Sequence, residues 1–307
     1  MATVDPWSSG DRMWEQESRF SRRAEVVSVE RLTATGTVHI RGRVTDDSPF
    51  DFKAGQFLAV QADVPGVGVQ HSPYCMFVPA APDRTFEMLI RVFPEGPLSH
   101  YLASMEPGAP LAFRGPSGRS MLPKEDDDSE LVLLATGVGI SPFHALLLDV
   151  LRSGDRRRVR LFWGLRLVED ICLTDELDAL AGRHSNFSYA ISLSQPPDDW
   201  TGLRGRVTET VPPLLETLGG KRYYLSGNGA MAEEMEMALS DMGVDRTLIH
   251  QERFFNARHH AEPATVDAIV ARFVAHDLFS PHAEQQAPLL FAVERDIHGR
   301  TYGKTDG

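Results

Sequence analysis

The chain has 307 residues, 42% of them hydrophobic and 24% charged, with a formal charge of −12. That is an ordinary globular composition, long enough for two domains and too acidic for a surface that binds nucleic acid. No apolar run reaches the roughly 18 residues that a membrane span needs, and the polar N-terminal stretch lacks a secretory apolar region, so a cytoplasmic protein without membrane contact is expected.

Residues 1–19 are polar and aperiodic and read as a peripheral lead-in. From residue 20 to 123 the pattern is of short segments rich in β-branched and aromatic residues: AEVVSVERL, TVHIRGRV, QFLAVQADV, FEMLIRVF and PLAFRGP, separated by turn residues such as Asp46, Gly66, Asp83 and Gly108. This predicts an antiparallel barrel or sandwich closing near Leu122, with one short helix in GPLSHYLASM. The charged stretch PKEDDDSE, residues 123 to 130, is expected to link two domains.

Between residues 130 and 255 strands and helices alternate. LVLLA, VRLFWGL, FSYAISL, RYYLSG and TLIHQERFF are the predicted strands; SPFHALLLDVLRSG, DICLTDELDALAGR, RVTETVPPLLETLG and AMAEEMEMALSDMG are the predicted helices. That succession describes a doubly wound parallel sheet, whose ligands bind at the carboxyl ends of the strands. The first such end is a glycine turn, Thr136, Gly137, Val138, Gly139, Ile140, Ser141, Pro142. Gly137 and Gly139 permit a tight turn and close approach of a phosphate or ring, and Pro142 suits the first turn of a helix whose free N–H groups favour anions.

Cys75 and Cys172 are the two cysteines, too few for an iron–sulfur cluster, and nothing points to a structural disulfide. The histidines at 259, 260, 276, 282 and 298 lack the spacing and companion acids of a metal site, so no metal is expected. Residues 256–307 form a separate C-terminal extension. PATVDAIVARFVAHDLF places Val266, Ile269, Val270, Phe273, Val274 and Leu278 on one helical face after a candidate N-cap, Thr265, and a strand-like PLLFAVERD follows. This tail is expected to pack on the α/β domain, to cover the flavin or nicotinamide crevice between the domains, or to meet a partner.

The ordered series of motifs resembles the ferredoxin-NADP reductase superfamily over roughly residues 20 to 255. The resemblance is carried by AGQF, PYC, GPLS and GPSG in the first domain and by TGVGISP, FWGLR followed by Asp170, ISLSQPPDDWTGLRGRV, YYLSGNGAM and HQERFF in the second. It implies a flavin-binding β-barrel, an NAD(P)-binding α/β domain, and an enzyme that takes hydride from NAD(P)H onto FAD. The electrons would pass to a separate acceptor such as a ferredoxin, flavodoxin or oxygenase component. A non-enzymatic regulatory or scaffolding subunit of the same fold is the alternative.

The departures from the family pattern are specific. Ser72, Pro73, Tyr74 and Cys75 stand where relatives resemble one another at RxYS, so the tyrosine that packs on the flavin is kept. The pyrophosphate-clamping arginine is replaced by Ser72, which cannot equal a bidentate guanidinium. Arg91 is a candidate to compensate, with backbone N–H groups from Gly96, Leu98 and Ser99 beside it. Cys75 takes the place of a hydroxyl near flavin N5. Ser226 takes the place of the cysteine near the hydride-transfer locus, ahead of Gly227, Asn228, Gly229 and Met231. Phe254, two residues after the candidate catalytic residue Glu252, matches the aromatic that covers the flavin in family members. The GPSG segment matches relatives that bind FAD rather than FMN. Coenzyme choice stays open, because Ser194 is followed by Gln195, Pro196 and Pro197 as in NADH-type relatives, whereas Arg166 and Arg206 occupy positions that favour NADPH.

Overall fold

The computed structural model describes residues 20–93, 96–119, 121–123, 127–255 and 290–293. The first half is a six-stranded antiparallel sheet: β1 (Arg22–Arg31), β2 (Thr37–Val44), β3 (Phe57–Val64), β4 (Gly68–Cys75), β5 (Thr85–Arg91) and β6 (Pro110–Ser117). The order β4-β3-β6-β1-β2-β5 makes β4 and β5 the edges, and a bridge between Met76 and Met88 draws those edges together into a half-barrel. Period-two burial explains the curl: Val38 and Ile40, Leu58 and Val60, and Phe86, Met88 and Ile90 point inward around Phe113. The predicted short helix is Pro97–Ala103.

Sequence reasoning missed β4. Its pattern, GVQHSPYC, is interrupted by His71, Ser72 and Pro73, and proline cannot donate to a ladder. An edge strand tolerates this, since β4 needs a full ladder only with β3.

The second half is a parallel sheet built of β7 (Glu130–Thr136), β8 (Val159–Leu165), β9 (Phe187–Leu193), β10 (Leu203–Arg204), β11 (Lys221–Asn228), β12 (Ile249–Phe255) and β13 (Leu290–Val293), in the order β10-β9-β8-β7-β11-β12-β13. Alternate residues of β7 face opposite layers. Leu131, Leu133 and Ala135 pack with the helices Ile140–Arg152 and Thr174–Arg183, while Val132 and Leu134 pack against the helix Gly229–Asp241. The helix expected from Arg206 onward is broken: Val207–Thr210 is one turn, and Pro212 and Pro213 begin a separate 3-10 turn, because a proline inside a helix removes a donor and clashes with the preceding turn. The two-residue β10 was not foreseen. Within the tail, β13 falls in the strand-like segment; the expected helix there lies outside the described residues.

The two halves share a core. Ala54, Phe77, Leu89 and Met121 of the first belong to the same buried apolar cluster as β7 and the helix Ile140–Arg152 of the second. Polar ties flank it. Asp170 Oδ1 accepts from Thr35 Oγ1 at 2.6 Å and from Arg91 Nη1 at 3.0 Å. Burial alone would raise the Asp170 carboxyl, but these bonds and the Leu167 N–H hold it below its ordinary value. Among the described residues no helix is long and apolar enough to cross a membrane.

Candidate functional site

Strand order reverses between β7 and β11, and at their carboxyl ends two glycine turns pass each other. A β-carbon on Gly139 would lie 2.5 Å from the Ser226 carbonyl oxygen, and one on Gly227 would collide with Thr136 Oγ1. Those two glycines are therefore required by the close approach of the turns themselves. Gly137 differs: its φ is +53° and a β-carbon there would meet nothing, so its open side faces free space. Thr136 Oγ1 accepts from the Asn228 N–H at 2.9 Å, and Asn228 in turn caps the helix Gly229–Asp241 by accepting from the Ala230 N–H. Pro142 is buried in the first turn of the helix Ile140–Arg152, as its fixed φ suits.

The register of the sheet sets the next group. Ser226 lies beside Ala135 on one side and Glu252 on the other, in parallel strands that present all three to the same face. Both Ser226 and Glu252 are fully buried. Cys75, at the end of β4 in the other half, closes the group: its thiol donates to Glu252 Oε1 at 2.7 Å. Burial raises the Glu252 carboxyl to about 7, only partly offset by the thiol hydrogen bond. Burial, and then the neighbouring carboxylate, push the Cys75 thiol well above its ordinary value, so it stays a thiol. Ser226 Oγ, Glu252 Oε2 and Ser141 Oγ are buried with no hydrogen-bond partner in the protein. Leaving such groups unsatisfied costs about 1–3 kcal/mol each, which is the mark of a site shaped for a polar ligand.

The other expected site residues are distributed as follows. Ser72 is buried in β4, beside partly buried Pro73 and Tyr74. Arg91 is committed to Asp170 and Thr35, and would have to give up that pair to reach a pyrophosphate. Ser99 Oγ donates to the Gly96 carbonyl at 2.8 Å and so fixes the turn rather than pointing at a ligand. Leu98 and Met231 are core residues of the barrel and of the rear layer. Arg166 Nε donates to Gln195 Oε1 at 3.2 Å, next to Ser194, whose N–H donates to the Leu165 carbonyl. Arg206 is largely exposed, 4.0 Å from Glu234. Phe254 is partly buried, next along β12 but one from Glu252. Sequence reasoning passed over Ser141, Thr35 and His144. A lone histidine in the apolar run FHALLLD is the one signal that marked any of them.

Residues 27–121 match the model of the oxidoreductase FAD-binding domain and residues 133–237 that of the oxidoreductase NAD-binding domain. The chain belongs to the ferredoxin-NADP reductase-like superfamily of FAD- and NAD(P)-binding oxidoreductases. It is 33% identical to ferredoxin-NADP reductase B of Sorangium cellulosum over 68% of this chain and 88% of that protein. It is 30% identical to the phenol hydroxylase P5 protein of Acinetobacter pittii over 76% of this chain, spanning 65% of that protein's length. Among solved structures it is similar to the ferredoxin reductase in carbazole 1,9a-dioxygenase, with a TM-score of 0.67 and 28% identity over 76% of this chain and 69% of that one. Family membership makes the alternative of a mere scaffolding module unnecessary, and FAD and NAD(P)H are the cofactors of the two domains.

Proposed function

We propose that this FAD-dependent NAD(P)H oxidoreductase serves as the reductase component of a multicomponent system, passing electrons to a ferredoxin or to an oxygenase component. The carrying observation is the buried group Cys75, Glu252 and Ser226, contributed by both halves of the chain and left with unsatisfied polar atoms at the topological switch point. A relative named as the reductase component of a phenol 2-monooxygenase and the ferredoxin reductase in carbazole 1,9a-dioxygenase support the oxygenase branch, and a flavodoxin is a further acceptor of the same class.

The residues fit both groups. Tyr74 and Cys75 would lie against the flavin ring, with the turn Gly96–Ser99 and the segment Gly115–Gly118 along its phosphate and adenine parts. Thr136, Gly137 and the first-turn N–H groups of Ile140–Arg152 would receive the coenzyme pyrophosphate, which suits a helix start. Bound FAD supplies two-electron uptake from the nicotinamide and one-electron release to the acceptor. Glu252, raised to about 7 by burial, accepts the hydrogen bond of the Cys75 thiol and so holds that side chain in place at the junction of the two halves. Ser226 and Glu252 lie fully buried beneath the switch point, and these walls exclude water from its floor. Arg166 and Arg206 line the rim on which a 2′-phosphate would fall, at the end of β8 and ahead of Val207.

The test is spectroscopic. The purified protein should carry FAD, released by acid and identified by chromatography, and its visible absorption should bleach anaerobically with NADH or NADPH. Reoxidation by a ferredoxin or an oxygenase component should then restore it. A colourless protein that cannot be reconstituted with FAD, or one that gives FMN alone, refutes the assignment.

A further inference from the structure

The largest fully buried side chain among the described residues is Trp163, 1% exposed, near the carboxyl end of β8. It lies in register with Ala135 of β7, so the two share a sheet face, and it packs in one apolar layer with Ile140 and Phe143 of the helix that follows the coenzyme turn. An indole has one polar atom, the Nε1–H donor, and burying it without a partner is costly. Here that N–H donates at 2.9 Å to the backbone carbonyl of Gly137. The donor reaches out of the core and ends on the coenzyme turn.

The acceptor is the residue whose direction is least fixed by its own chemistry. Gly137 has a φ of +53°, it is exposed, and a β-carbon there would meet nothing. Without a side chain it reaches either sign of φ at similar cost, so its peptide can turn over while the strand stays in place. Two donors oppose that. The Ile140 N–H reaches the same carbonyl and closes the 3-10 turn Gly137–Gly139, a bond of the poorer geometry usual in such turns. The indole is the second, and it is held by the packed core. The peptide Gly137–Val138 is trans, so its N–H points opposite to its carbonyl, away from the indole and the core beneath it. At the start of a helical turn that N–H has no acceptor within the helix, which suits it to an anion.

The geometry points to Trp163 as a positioning residue for the coenzyme: its indole N–H fixes the Gly137 carbonyl inward and so holds the Val138 N–H outward, in the orientation that receives a pyrophosphate. This rests on the reading above that the turn takes the coenzyme pyrophosphate. Trp163 is itself sealed in the core and acts through one backbone amide. A bound pyrophosphate holds that amide unaided, so the indole raises the share of free enzyme that is ready to bind and leaves the later hydride step alone.

Trp163→Phe keeps an aromatic ring in the core and deletes the donor. Calorimetric titration of the oxidised holoenzyme with NAD+ or NADP+, whichever reduced form bleaches the flavin, reads binding without turnover. The Kd of Trp163→Phe should rise roughly two- to tenfold, the range set by losing one net hydrogen bond, and KM should follow while kcat at saturation stays within about twofold. Leu161→Val separates this from a loosened core. It removes volume from the same face of β8 and should lower the melting temperature while leaving Kd unchanged. An unchanged Kd in Trp163→Phe overturns the positioning role, and so does an equal rise in Leu161→Val. Coupling to Gly137 is the second check. Because both substitutions act on one peptide, Trp163→Phe combined with Gly137→Ala should weaken coenzyme binding by more than the product of the single effects; effects that simply multiply refute the shared origin. If the wild-type holoenzyme binds neither NAD+ nor NADP+, the oxidoreductase reading fails, and the positioning role with it.

Discussion

Replacing Glu252 by glutamine tests the physics of the site directly. The carboxyl is fully buried and its folded-state value is about 7 against an ordinary 4.5. At about 1.4 kcal/mol per pH unit, that displacement amounts to roughly 3 kcal/mol of differential stability. The sign is fixed by the direction. A group whose folded value is raised contributes its stability in full below about pH 4.5, where the unfolded chain is also protonated, loses it progressively as pH rises, and has lost all of it above about pH 7. Glutamine keeps the shape and the acceptor for the Cys75 thiol but does not titrate. Urea unfolding at a series of pH values from about 5 to about 8 should therefore show the wild type losing roughly 2–3 kcal/mol relative to Glu252→Gln, with the variant the more stable protein at the alkaline end. The same substitution should remove the limb of the flavin-reduction profile that titrates near neutrality. Parallel stability curves for the two proteins would refute the claim that this carboxyl is held in an apolar enclosure.

Gly139→Ala should destabilise by about 1–3 kcal/mol, because its β-carbon meets the Ser226–Gly227 backbone, whereas Gly137→Ala should cost only about 1–2 kcal/mol, for its positive φ; melting curves separate the two. Ser72→Arg should slow flavin dissociation by roughly tenfold or more if the new guanidinium reaches the pyrophosphate, and an unchanged rate would show that the phosphate is held elsewhere. Arg206→Ala should lower kcat/KM for NADPH by roughly tenfold while sparing NADH, and equal losses would mark Arg206 as structural.

By itself the sequence determined the succession of an antiparallel half and a parallel α/β half, with most of their elements. Period-two apolar segments named five of the six strands of the half-barrel, and continuous apolar runs such as Leu131 to Ala135 named the buried parallel strands, because a strand covered on both faces needs no polar side. Local chemistry also placed the glycine turn, since few residues other than glycine adopt its backbone. It did not show β4, whose place at an edge tolerates Pro73, nor the break at Pro212, where two prolines ended a helix that the apolar period continued.

The meaning of individual site residues was decided by the tertiary structure. Gly139 and Gly227 are glycines because two turns cross, a contact between positions far apart in the chain. Arg91 looks like a phosphate ligand beside its own motif, yet Asp170, brought from the other sheet, claims it at 3.0 Å. Cys75 and Glu252 are 177 positions apart, and the raised acid and the protected thiol arise only when packing removes water from both. Composition and spacing report which groups a chain possesses; their charge state depends on which groups the fold buries together, and that is a property of long-range contacts alone.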